Sequence, residues 1–213
     1  KKKYLMPLLG GNIRSAFLMT EPDVASSDAR NIQTSMQLEK DHYILNGTKW
    51  WSTNALHPLC RFYIVMARSN PEAETYNQQS MIIVPSDTPG VNIRRSLPVM
   101  NFHDAPGEHC EIELDNVRVH ESYLIAGEGK GFEIAQGRLG PGRIHHCMRL
   151  IGVAQRALET ACVRVENRET FGRKVSQHQS IREELAKSYC EIEQARLLTL
   201  KAADAMDRFG NKK

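Results

Sequence analysis

A chain of 213 residues has room for one large domain or two modest ones, and 41% hydrophobic with 25% charged residues is ordinary globular composition. The formal net charge of +3, from 28 basic and 25 acidic residues spread along the chain, excludes a basic nucleic-acid-binding stripe. No apolar run approaches bilayer-spanning length, and no secretory signal pattern is present.

In chain order, residues 1–15 contain Pro7, Gly10 and Gly11 and read as a loop with a short helical piece. Lys1 to Lys3, like Lys212 and Lys213, are expected to be solvated ends. Ala16 to Asp28, AFLMTEPDVASSD, is an apolar run that breaks at Thr-Glu-Pro. Pro22 fixes its own φ and disfavours the α region for Glu21, so the chain turns there. Val24 to Ser27 then offer backbone N–H groups and two hydroxyls, which suit an anion or a polar ring edge and equally an ordinary turn.

Phe17 to about Ile125 is strand-like. Tyr43–Leu45, Phe62–Met66 and Met81–Val84 are short β-branched or aromatic runs bounded by turn residues. Asn46-Gly47 predicts a hairpin, because both residues tolerate positive φ. Thr88-Pro89-Gly90 and Asp115-Asn116 read as further turns. Lys49 to Asn54, KWWSTN, places two Trp residues on opposite faces of a strand, so one of them is free to present a flat apolar plate beside hydroxyls. The expected fold is α+β, a predominantly antiparallel sheet or barrel followed by helices.

After Gly127-Glu128-Gly129-Lys130-Gly131 the period changes. Ile151, Ala154, Leu158, Ala161 and Val165 form one helical stripe, and Ile181, Leu185, Tyr189, Ile192, Leu198, Ala202, Ala205 and Phe209 form another. The expected division is a β-domain over 1–126 and the start of a helical bundle over 127–213. Gly140-Pro141-Gly142 is expected to interrupt the first helix. Arg143 beside it suits an anionic ligand group or a plain helix surface. The five cysteines, Cys60, Cys110, Cys147, Cys162 and Cys190, show neither CxxC nor metal-ligand spacing and read as reduced structural thiols. His145-His146 lacks the i, i+4 spacing of a chelating pair.

The ordered segments TEP, SSD, NGTKWWSTN, DTPG, GEGKGF, GPGR and RETFG resemble the acyl-CoA dehydrogenase family over nearly the whole chain. MTEPDVASSDA and QGRLGPGRIHHCMRL are similar to the branch of family members ten and eleven. The resemblance implies FAD as cofactor and an acyl-CoA as substrate, with α,β-dehydrogenation to a trans-2-enoyl-CoA and hydride transfer to flavin N5. By resemblance Phe17, Met19 and Thr20 line the isoalloxazine, with Thr20 donating to a ring carbonyl. Ser26 and Ser27 approach flavin phosphate or the thioester end of the substrate. Trp51 covers a flavin face, and Ser52 and Thr53 hydrogen-bond near N5. Arg143 lies near the acyl-CoA. Arg168, Phe171 and Gln179 serve the flavin's pyrophosphate and adenine half across a dimer interface.

The resemblance also implies a homodimer or homotetramer, an electron-transfer flavoprotein as acceptor, and a mitochondrial or peroxisomal setting. It places no catalytic base among these residues. Where some relatives carry Glu before the Arg of the GPGR segment, this chain has Gly142, and the base is expected downstream of Lys213. On this view the chain is a fragment lacking an N-terminal helical domain and the end of its bundle. An acyl-CoA oxidase, or a non-catalytic acyl-CoA-binding or assembly chain, are the alternatives.

Overall fold

The computed structural model describes residues 2–210; the basic ends at Lys1, Lys212 and Lys213 lie outside them. Lys3 is more than a solvated end, since its Nζ donates to the Tyr123 hydroxyl at 3.1 Å and sits over the rings of Tyr4 and Tyr123. The described residues fall into two compact units that meet in the sequence at Ala135/Gln136.

The first unit opens with a short helix, α1 (Leu5–Leu9), and is built on a mixed seven-stranded sheet. Its strands are β1 (Arg14–Leu18), β2 (Ser35–Glu39), β3 (His42–Thr53), β4 (Cys60–Arg68), β5 (Gln79–Pro85), β6 (Val91–Ser96) and β7 (His109–His120). The pairings β2·β3, β3·β7, β4·β5 and β6·β7 are antiparallel, while β1 and β2 both run parallel to β4. They follow one another along the same edge of β4, β1 ending at Leu18↔Val65 and β2 beginning at Ser35↔Arg68. The segment 19–34 leaves the sheet through that gap.

Alternation along β3 and β7 sends Leu45, Ile112, Leu114, Val117 and Val119 into the main core. Each such side chain contributes about 1.5–3 kcal/mol of burial. A second cluster, Ala29, Ile32, Met66, Met81 and Ala135, gathers Phe17, Met19, Ile64, Phe132 and Ile134 around it. This is why the sheet unit extends past the glycine-rich segment to Ala135. Gly131 allows the close approach, because a Cβ there would stand 2.8 Å from the Gln79 backbone.

Two predicted turns are not turns. Asn46-Gly47 lies within β3 and Asp115-Asn116 within β7, facing one another where the register shifts. The Asn46 Oδ1 accepts from Asn116 N at 2.8 Å, and Asn116 takes φ +49°. The positive-φ residues therefore serve a bulge in a long ribbon. Gly47, at φ +150°, leaves room for Thr34, whose Oγ1 would lie 2.5 Å from an added Cβ. The β2–β3 connection is made instead at Lys40-Asp41, with Lys40 at φ +60°.

In the second unit, α2 (Gly131–Asn167) runs on through Pro141, so the Gly-Pro-Gly segment does not end it. Proline removes one N–H and crowds the carbonyl four residues earlier, and here that residue is Gly137, which carries no side chain to add to the crowding. After α2, β8 (Glu169–Thr170) and β9 (Arg173–Lys174) form a tight hairpin ahead of α3 (Gln179–Phe209). Ile151 and Ile192 are buried, whereas Leu150, Val153, Leu197 and Leu198 are exposed. Among the described residues, no helix is long and apolar enough to cross a membrane.

Candidate functional site

The gap between β1 and β2 is filled by an ion pair. Lys49 on β3 is fully buried and donates to Met19 O at 2.9 Å, Met66 O at 2.7 Å and Glu21 Oε1 at 2.9 Å. All three ammonium protons are used. Glu21, 4% exposed, also accepts from Thr34 N at 2.9 Å on Oε1 and from Gln33 N at 2.8 Å on Oε2. Burial alone would raise its carboxyl, but the Lys49 ammonium and the two amides outweigh that and hold it below the ordinary range. Burial pushes Lys49 down to about 8 against the pull of Glu21, leaving it charged at neutral pH. The pair replaces the ladder bonds that a continuous edge strand would make and fixes both ends of the 19–34 loop.

Above the pair, the loop is docked on β3 by a two-way contact. Trp50 N donates to Thr20 O at 3.0 Å, and Thr20 Oγ1 donates to Trp50 O at 2.7 Å. In this arrangement the hydroxyl proton of Thr20, expected to donate to a ring carbonyl, is placed on Trp50 O, which leaves lone pairs facing outward. Phe17 and Met19 are half-buried against the second core cluster. Ser26 belongs to the loop itself, its Oγ accepting from Glu21 N at 2.8 Å and donating to Glu21 O at 3.1 Å. Ser27 is exposed.

At the end of β3 the register shifts between Lys49 and Ser52, and Trp51 adopts φ +53°. A bulky residue in the left-handed region is a genuine outlier, and such strain gathers at functional sites. The indole is 42% exposed. Thr53, on the same face, is exposed and pairs with His109. Ser52 and its cross-strand partner Cys110 are both fully buried. The side chain of Ser52, expected near flavin N5, therefore has no surface in this structure. Its Oγ is a buried polar atom without a partner. The face thus presents Trp51, Thr53 and His109, whose ring centroid is 6.0 Å from that of Trp51.

The second unit holds the remaining predicted residues. Phe171 and Gly172, at φ +53° and +73°, form the two-residue turn of the β8–β9 hairpin, and Phe171 is 97% exposed. Arg168 is exposed just ahead of the hairpin, and its carbonyl accepts from Val175 N at 2.8 Å. Gln179 opens α3 with Nε2 donating to Glu183 Oε1 at 2.8 Å. Arg143 is exposed on α2. At 1.5 Å per residue it lies roughly 36 Å from the end of its helix, so one copy cannot bring Arg143 and Arg168 to the same ligand group. In the sequence Glu21 stands out only as the residue before Pro22 in the turn, and neither Lys49 nor His109 carries a role there. A lysine inside an alternating apolar strand was the available signal for the ion pair.

Residues 16–117 match the acyl-CoA dehydrogenase middle domain, and residues 129–213 match the acyl-CoA dehydrogenase C-terminal domain. The chain is 54% identical to a probable acyl-CoA dehydrogenase of Mycobacterium tuberculosis, over 100% of this chain and 52% of that protein. It is also 54% identical to acyl-CoA dehydrogenase family member 11 of Gallus gallus, over 100% of this chain and 28% of that protein. Among solved structures, butyryl-CoA dehydrogenase from Megasphaera elsdenii matches with a TM-score of 0.83 at 33% identity, over 96% of this chain and 52% of that one. The chain thus spans about half, or less, of the length of these curated relatives.

Proposed function

Because the chain belongs to the acyl-CoA dehydrogenase family, we propose that the full-length protein is a FAD-dependent enzyme that removes hydrogen from Cα and Cβ of an acyl-CoA thioester. The observation that carries the proposal is the face made by Trp51 and Thr53 beside the Thr20 loop, clamped from below by Lys49 and Glu21. An exposed indole, two hydroxyls and a loop backbone whose nearby charges already neutralise each other suit a planar, uncharged heteroaromatic ring. FAD, when bound, supplies the two-electron acceptor.

The chain's own residues then bind and orient. Trp51 covers one face of the ring system. Thr53 addresses the edge that carries N5, and Thr20 turns its lone pairs to an N–H of the pyrimidine edge. Ser27 stands at the exposed turn of the loop for phosphate or the thioester end, while Ser26 keeps the turn closed. Arg143 takes an anionic group of the CoA moiety, since a guanidinium forks onto phosphate oxygens. Arg168, Phe171 and Gln179 serve the pyrophosphate and adenine half in a partner copy, a role suited by the exposed Phe171 ring and the Arg168 guanidinium.

Glu21 is not the base that takes the α-proton, since both its oxygens are bound and it is buried. We assign that role to a carboxylate outside these 213 residues, and the oxidised form of an electron-transfer flavoprotein as the acceptor of the electrons that the substrate leaves on the flavin. The test is an absorption spectrum of the purified full-length protein, followed by anaerobic titration with acyl-CoAs of increasing length. A yellow protein that bleaches with one length class is expected. A protein that stays colourless with added FAD would overturn the proposal.

A further inference from the structure

We propose that His109 is a positioning residue for the flavin edge, acting through the Thr53 hydroxyl. The inference rests on the proposed placement of the flavin against Trp51 and Thr53. Thr53 and His109 are directly paired across β3 and β7, and paired residues of an antiparallel ladder share a face. Ser52 and Cys110, the next pair, are both buried, so alternation commits Thr53 and His109 to the side that carries Trp51. Thr53 Oγ1 lies 2.9 Å from His109 Nδ1. The imidazole is fixed further by the Trp51 ring at 6.0 Å and by Asp104, whose Oδ2 is 3.9 Å from Nε2.

A hydroxyl has one proton, and the imidazole decides where it points. When Nδ1 carries a proton, it donates to Thr53 Oγ1, and the Thr53 proton is free to be directed outward. When Nδ1 is bare, it takes the Thr53 proton, and Thr53 presents only lone pairs outward. A ring nitrogen that accepts a hydrogen bond while oxidised and carries N–H once reduced needs these two settings in turn. His109 supplies both without moving a strand, because a neutral imidazole changes between them by releasing the Nδ1 proton and taking one from solvent at Nε2.

Few other charges face this ring. The 97–108 segment brings Asp104, and Glu108, whose carboxylate is held by His103 Nδ1 at 3.0 Å. On the neighbouring β6, Arg95 is paired with Glu111. From β3 come the uncharged Thr53 and Trp51, since Lys49 is spent in the core.

The experiment uses the full-length protein loaded with FAD and measures the flavin midpoint potential at one fixed neutral pH, with melting temperature alongside. His109→Leu removes the partner, whereas His109→Asn keeps a hydrogen-bonding atom near the Nδ1 position. Thr53→Val cuts the link while leaving His109 in place. At a fixed applied potential the oxidised-to-reduced ratio of His109→Leu should differ from the wild type by about tenfold, which is about 30 mV for a two-electron couple. His109→Asn should return part of that difference, and His109→Leu should add no further shift in the Thr53→Val background. If the potentials of the variants equal that of the wild type, His109 has no such role, even where melting temperature falls. A His109→Leu shift of full size in the Thr53→Val background would also overturn the proposal, because the effect would not pass through the hydroxyl. A wild-type protein that binds no FAD would instead refute the proposed function on which the inference rests.

Discussion

Glu21 shows how one residue can look like part of a turn motif and act as a clamp. Its carboxylate is buried against an ammonium that has no other charge to meet, so removing either partner strands a charge in the core. Breaking such a pair costs about 3–5 kcal/mol, while replacing both members with apolar side chains is often near neutral. Glu21→Gln and Lys49→Met should each lower the melting temperature and loosen flavin retention in the full-length protein. The double variant Glu21→Leu/Lys49→Met should recover much of the melting temperature, and a double variant as unstable as the sum of the singles would contradict this. The pH dependence follows from Glu21 being held below its ordinary range. Its contribution is fully present above the unfolded carboxyl value of about 4.3 and is lost as pH falls through the folded value. Lys49, lowered to about 8, remains charged throughout that acid window. Its own contribution has the same sign in a separate window, since stability again rises with pH where the unfolded chain alone keeps the proton, from about 8 towards about 10.4. As pH falls below about 4.3, melting temperature should therefore drop less steeply for Glu21→Gln than for the wild type.

At the level of elements, the sequence spoke clearly where chemistry is local. TEP followed by small hydroxyl residues, and two Trp beside Ser-Thr, mark the loop and strand that meet at Thr20 and Trp50. It spoke less clearly where a signal has two structural uses. Asn46-Gly47 can close a hairpin or fill a bulge, and only the facing Asp115-Asn116, some 70 residues on, decides for the bulge. His109 was invisible for the same reason, since its partnership with Thr53 exists only through strand register. The bulge gives a direct test. Gly47→Ala puts a Cβ 2.5 Å from Thr34 Oγ1 and 2.8 Å from Thr34 Cα at φ +150°, and a backbone forced into such a region costs about 1–3 kcal/mol. Thr34 is itself bound through its N–H by Glu21 Oε1, so flavin retention should fall along with melting temperature. Phe171→Ala is the contrasting case: with 97% of the side chain exposed, it should leave melting of the apo form unchanged while weakening FAD binding. A fall in apo stability for Phe171→Ala would show that the side chain is packed and not presented.

For the whole molecule, the two units ask for different complements. The sheet unit closes on its own core, with Leu18, Leu45, Val65, Ile82 and Ile112 fully buried. The helical unit buries little: Leu150, Val153, Val163, Leu197 and Leu198 are each more than 60% exposed on α2 and α3. Apolar exposure on this scale marks surfaces that other protein covers. A polypeptide of these 213 residues expressed alone should therefore self-associate with concentration and bind a hydrophobic dye. The full-length protein should bind far less dye per chain. The same polypeptide should also fail to turn over any acyl-CoA even when FAD is supplied, because the carboxylate at its site is committed to Lys49, Thr34 and Gln33. Abstraction of an α-proton needs a base within hydrogen-bond reach of it, and Glu21 is buried with both oxygens occupied. The decisive assay is enoyl-CoA formation by the isolated polypeptide with FAD and an artificial electron acceptor, run beside the full-length protein. Turnover by the full-length protein alone is the expected result. Turnover by the isolated polypeptide, abolished by Glu21→Gln, would instead make Glu21 the base and require the clamp to open during the reaction.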